Sequence, residues 1–120
     1  MADHVLFIGW DAPVRGREER SLEVFEEAVA LYGRLQQAGR IEGFDIVFLT
    51  PHGGLGGYFT LHGSQEQIAA VHADAEFMTM MTDASLCVEG LREVDGLANA
   101  GIAEQMTRYR DAVAKVPQLA

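Results

Sequence analysis

Four short segments of this chain carry apolar residues in β-rich runs or at alternate positions, and three carry them at a spacing of three and four. The order of these segments limits the fold more than any other feature of the sequence. Val5–Trp10, "VLFIGW", is a compact apolar run closed by Asp11 and Pro13, the pattern of a buried first strand. From Glu18 to Ala38 the positions Leu22, Phe25, Val29 and Tyr32, with Ala28, Leu31 and Leu35 beside them, form the stripe of an amphipathic helix, and Gly39 stops it. Ile41–Thr50 and Gly57–His62 read as two strands joined by "PHGGLG", whose proline and glycines suit a hairpin. Ser64 and Gln67 have the spacing of a capping box, and Ile68, Val71 and Ala75 continue the helical period toward Met81. Leu86–Val94 reads as a fourth strand, and Ile102, Met106, Tyr109 and Val113 mark a last amphipathic helix.

The order β-α-β-β-α-β with an added C-terminal helix predicts an α+β, ferredoxin-like domain spanning residues 1–120. The expected sheet has the first and third strands side by side and parallel at its centre. Both helices cover one face. The other face is apolar as well, since Phe44, Ile46 and Phe48 alternate with Val47 and Leu49, and nothing but part of the last helix is available to cover it. A second copy packed face to face completes the expected architecture, a homodimeric barrel with two-fold symmetry.

Charge and cysteine content narrow the partners. Eighteen acidic against nine basic residues give a net charge of −9, which repels phosphate backbones and anionic lipid. No nucleic acid and no membrane are expected as partners, and the start "MADHVLFIGW" lacks the layout of a signal peptide, so a cytoplasmic location is expected. The single cysteine, Cys87, leaves no internal disulfide and no zinc site of several thiolates, and reads as a small buried hydrophobe.

At this point the sequence resembles the dimeric α+β barrel superfamily, which includes cofactor-free monooxygenases, muconolactone isomerases and YCII-related proteins. The stretch "GREERSLEVFEEAVALYGRLQQAGRIEGF" followed by "PHGGLGGYFTLHG" looks like a set of small bacterial proteins of that fold with no established activity. The resemblance implies a possible activity as a cofactor-independent monooxygenase or isomerase. YCII-related proteins usually carry a histidine early in the first helix and an acidic residue before a Pro-Phe near the second. Here "HADAEF" matches the latter loosely through Asp74 and Phe77, and the first helix contains no histidine.

Candidate chemistry centres on the third strand. Period two puts Tyr58, Thr60 and His62 on one face and Phe59 and Leu61 on the other, so the polar trio is expected to face the barrel interior, a pocket for a small apolar or aromatic molecule. With parallel central strands, Trp10 and Asp11 would lie beside His62, together with Glu42 or Asp45 and Glu89. Asp11 or one of the edge carboxylates would orient His62 as a general base, and Trp10 would stack a flat substrate. Catalytic roles are thus expected for His62 and Asp11, and ligand contacts for Trp10, Tyr58 and Thr60. His52 is expected at the opposite end of the sheet with His4 and Tyr58. His72 reads as a histidine at the edge of the core or on the surface. The hairpin glycines lack the Lys-Ser or Lys-Thr and the following helix of a phosphate-binding loop, and the histidines lack metal-ligand spacing, so neither a metal nor another cofactor is expected. Two further readings stand beside the enzyme: a non-catalytic module that senses a ligand or binds a protein, and a haem or metal protein using one histidine.

Overall fold

A computed structural model describes residues 2–119. The chain runs β1 (His4–Trp10), β2 (Ala12–Pro13), α1 (Glu18–Gln37), β3 (Gly43–Phe48), β4 (Gly57–Gly63), α2 (Gln65–Ala73), α3 (Ala75–Ser85), β5 (Val88–Glu89), β6 (Arg92–Leu97) and α4 (Ala100–Ala114). Four strands form one sheet in the order β3-β4-β1-β6, and β2 and β5 form a two-stranded ribbon beside it. This is the α+β ferredoxin-like fold, with α1, α2 and α3 on one face of an antiparallel sheet.

Strand direction departs from the sequence reading. The first and third long strands, β1 and β4, are neighbours but antiparallel: His4 pairs with Gly63 and Trp10 with Gly57. A helical crossover returns β3 in the direction of β1, and the hairpin then reverses β4, so antiparallel pairing with β1 follows from the connections themselves. The second helical region and the last strand also differ from expectation. Asp74 leaves the helical conformation (ψ 126°) and separates α2 from α3, its side chain accepting a hydrogen bond from the Phe77 backbone N–H at 2.9 Å. The predicted fourth strand is divided: Val88–Glu89 pairs with Ala12–Pro13, and after Gly90 (φ 69°) the chain enters β6 against β1.

Period-two burial along β4 is regular, with Phe59 and Leu61 buried and Tyr58, Thr60 and His62 half-buried on the other side. Leu6, Ile8, Phe59 and Leu61 meet Val24, Ala28, Leu31, Tyr32 and Leu35 of α1 and Phe77 and Met80 of α3 in one core. Helix α1 is rotated slightly from the predicted stripe, so that Val24 is buried and Leu22 is exposed. Cys87 is buried in the core, where burial raises its thiol pKa. The capping box at α2 forms as predicted, Ser64 Oγ accepting from the Gln67 N–H at 3.1 Å and Gln67 Oε1 from the Ser64 N–H at 2.8 Å.

The hairpin glycines serve close approach as well as turning. Gly56 donates to the Trp10 carbonyl at 2.8 Å, and a Cβ at this residue would lie 2.2 Å from the Asp11 carbonyl oxygen. A Cβ at Gly57 would press on the Trp10 ring and the Val47 carbonyl. Gly56→Ala should therefore lower stability by about 1–3 kcal/mol, as an overpacked site does, measured by urea unfolding against an unchanged far-ultraviolet spectrum.

His72 on α2 is held by two carboxylates of β6, Nδ1 donating to Glu93 at 2.7 Å and Nε2 to Asp95 at 2.8 Å. The Asp95 hydrogen bond is the largest cause raising its pKa above 6.5. A folded-state pKa above the unfolded value gives stability that is complete below the unfolded pKa and is lost as pH rises through the folded one. His72→Gln should cost most near pH 5.5, on the order of 0.5–1 kcal/mol for this partly exposed cluster, and the difference should shrink toward pH 9 in thermal melts.

Candidate functional site

The register separates the residues that the sequence reading grouped. Trp10 lies opposite Gly57, five residues along β4 from His62, which pairs with Val5. At about 3.4 Å per residue the two stand roughly 17 Å apart. His62 and Asp11 therefore do not form a pair, and His4 lies at the His62 end, away from Tyr58. Asp11 instead accepts a hydrogen bond from Arg92 at 2.6 Å, and its backbone N–H donates to Glu89. His52 stands in the hairpin loop beyond the Trp10 end, Nδ1 2.9 Å from the Thr50 carbonyl oxygen.

Faces are separated as well as ends. On β1, Leu6, Ile8 and Trp10 point toward the helices and Val5 and Phe7 away from them, because each strand residue shares a face with its directly paired neighbours. Trp10 consequently shares no surface with Tyr58, Thr60 and His62, contrary to the expected grouping. Two distinct surfaces result.

On the open face of the sheet, His62 Nε2 lies 2.8 Å from Asp45 Oδ2 and 3.3 Å from Thr60 Oγ1. Asp45, an edge carboxylate from the predicted set, takes the orienting position that Asp11 does not occupy. Further along the same face the Phe7 and Tyr58 rings are 5.1 Å apart, and Val94 of β6 is 53% exposed beside Phe7. This face is a histidine–carboxylate pair at one end and an apolar patch toward the other.

On the helix side, α1, α3 and the sheet line a half-open cavity of about 430 Å³. Its walls include Trp10, Phe25, Phe48 and Phe59 as one aromatic cluster, with ring centroids 5.3–6.4 Å apart. Met80 and Met81 of α3 close another side, and Leu22 and Phe48 stand exposed at its rim. Ser21, Glu26 and Tyr32 are the polar contributions besides the indole, and Glu26 is exposed. Tyr32 is fully buried, and among the described residues its hydroxyl has no hydrogen-bond partner; burial raises its pKa strongly. The sequence reading singled out Trp10 but assigned Phe25 to the packing stripe, and for Phe48 gave only an alternation with Val47 and Leu49 without saying which face it takes. Their meeting depends on how α1 lies across the sheet, which the helical period alone does not contain.

Asp74, matched above to the YCII-related pattern, caps α3 and accepts from Arg40 at 2.9 Å; its pKa is lowered first by the Phe77 N–H and then by Arg40. Among the described residues no group of three or more His, Cys, Asp or Glu side chains is arranged to hold a metal ion. No helix among them is long and apolar enough to cross a membrane.

No protein-family model matches this chain, and no curated protein sequence matches it. Solved structures do share its fold. A dimeric protein of unknown function and ferredoxin-like fold from Bacteroides fragilis is 12% identical, covers 79% of this chain and 96% of its own, and superposes with a TM-score of 0.58. A variant of SnoaB, a cofactor-independent oxygenase from Streptomyces nogalater, is 14% identical over 82% of this chain and 93% of its own, with a TM-score of 0.58. A protein proposed to be an antibiotic biosynthesis monooxygenase from Nitrosomonas europaea is 11% identical over 82% and 92%, also at 0.58. At these identities the likeness establishes the fold: this chain is a ferredoxin-like α+β protein with neighbours among antibiotic biosynthesis monooxygenase-like structures.

Proposed function

We propose that this protein binds a small, flat, apolar or aromatic molecule in the cavity between α1, α3 and the sheet, and that it does so as a homodimer paired through the open sheet faces. The observation that carries the reading is the cavity itself, about 430 Å³ with an aromatic wall built on Trp10, Phe25, Phe48 and Phe59. That volume lies in the ordinary range of ligand pockets, and offset or edge-on aromatic rings offer a planar ligand both faces and edges to pack against. The dimer reading is supported by the apolar patch of Phe7, Tyr58 and Val94 on the open face and by the dimeric fold neighbour.

Cofactor-independent oxygenase or isomerase activity, suggested by the fold neighbours, would act either on a ligand in this cavity or on one held between the two sheets, on the opposite side of the sheet from the cavity. Removal of a proton from the substrate would need a base. Glu26 at the cavity and the His62–Asp45 pair on the open face are the groups placed to supply one, the latter for a ligand held between the two sheets. Asp11, engaged by Arg92, is proposed to shape the Trp10 end of the sheet. Thr60 and Tyr58 are proposed as ligand contacts in the dimer interior. A non-catalytic binding role is favoured by one specific observation, that the cavity's walls are apolar apart from a few groups and its one carboxylate is exposed.

Trp10 is the only tryptophan, so its fluorescence reports on the cavity directly. Titration with 2-naphthol should quench or shift it saturably, and Ala28→Leu, which fills the cavity from α1, should weaken that binding by at least about tenfold while leaving the fold intact. No saturable change in the wild-type protein would remove the proposal. For catalysis between the two sheets, His62→Ala should abolish turnover of an oxidisable phenol or anthrone, followed by oxygen uptake, and leave the naphthol titration unchanged, since that titration reads the cavity on the other side of the sheet.

A further inference from the structure

The helix α4 is the least explained element of the chain. It is fixed at its base: Ala98 donates to the Asp3 carbonyl at 2.9 Å, and Gly101 packs so closely that a Cβ there would lie 2.6 Å from the same oxygen. Beyond Gly101 every described residue is exposed. Ile102, Met106, Tyr109 and Val113, with Val116 just past the helix, nonetheless follow each other at intervals of four, three, four and three, which lines them up on one side. Tyr109, in the middle of the stripe, is 61% exposed.

Such a helix does not stand alone in water. Fifteen residues are marginal for an isolated helix, and a continuous apolar stripe of this length marks a contact surface. The contact is not made within the chain. The radius of gyration is 17.0 Å, against about 13.6 Å for a compact domain of this length, because α4 projects from the body. Charge decides what it meets. Residues 99–120 carry three basic and two acidic side chains, a net +1, and the remainder of the chain carries the other −10. Arg108, Arg110 and Lys115 are thus drawn to a body with the composition of this one, and that same body opposes approach to an anionic lipid surface.

We propose that α4 is an arm that docks through its Ile102–Val116 stripe on the body of a second copy, the two copies exchanging arms about their two-fold axis. The inference rests on the dimer reading above and extends it. Within its own subunit α4 is bare beyond Gly101, and a reciprocal exchange buries both stripes with one symmetry operation.

The test combines sedimentation with hydrogen exchange on the full chain. Met106→Glu/Tyr109→Glu changes only exposed positions, so the subunit should keep its far-ultraviolet spectrum while the dimer loosens by at least about tenfold. Amides of α4 should be protected in the wild-type dimer and lose that protection on dilution. A dimer unaffected by the double substitution, with α4 unprotected, overturns the arm and leaves sheet-face pairing standing. A wild-type monomer overturns both. Protection that persists in a monomer, or that appears only on vesicles of phosphatidylglycerol, overturns the arm in favour of a contact within the chain or a membrane contact.

Discussion

The antiparallel pairing of β1 between β4 and β6 is the constraint from which the rest of the molecule follows. It sets which residues share an end of the sheet and, through the period of two, which share a face. His62 is brought to Asp45 and kept from Asp11 by that register, and Trp10 is turned under α1 by the same alternation that turns Phe7 outward. Every proposal about chemistry in this fold begins from those two sortings.

Sorting by face produces a division of labour. The helix side combines the core with the aromatic cavity, and its continuity explains why the hairpin needs glycine where Gly56 and Gly57 crowd the Trp10 and Asp11 backbone. A bulkier residue there would push the hairpin off the end of β1 and move Phe48, one wall of the cavity. Structural and binding demands thus fall on the same few positions. The open face, by contrast, leaves Val94 exposed and Phe7 and Tyr58 only half-buried, next to a histidine–carboxylate pair.

Several elements fasten this arrangement at its margins. His72 ties α2 to the edge strand β6 through Glu93 and Asp95, and Asp74 joins the start of α3 to Arg40. Asp11 and Arg92 link the end of β1 to the start of β6. All are partly exposed, so each adds modestly to stability, and their effect is to fix orientation between elements whose apolar packing alone would tolerate small slides. Trp10 and Phe25 keep their mutual geometry because α1 is held at both ends, by packing along its length and by Arg20 and Arg34 reaching Asp83 and Glu76 of α3.

Local pattern was enough to read the main elements and their order, though not the β2–β5 ribbon or the break between α2 and α3. The Val5–Trp10 run, the stripe from Phe25 to Leu35, the Ser64–Gln67 cap, the in-and-out alternation of β4 and the burial of Cys87 each depend on neighbours a few residues away, and short-range sterics and solvent preference specify them. Register and meeting were decided only in three dimensions. That β4 runs against β1 follows from a helical crossover followed by a hairpin reversal, both present in the order of elements, whereas the residue-by-residue register that puts His62 opposite Val5 and beside Asp45 is set by the packed sheet. The cavity of Trp10, Phe25, Phe48 and Phe59 joins four segments through a helix-to-sheet angle that no single segment encodes, because that angle is a compromise among all the side chains packed between the layers.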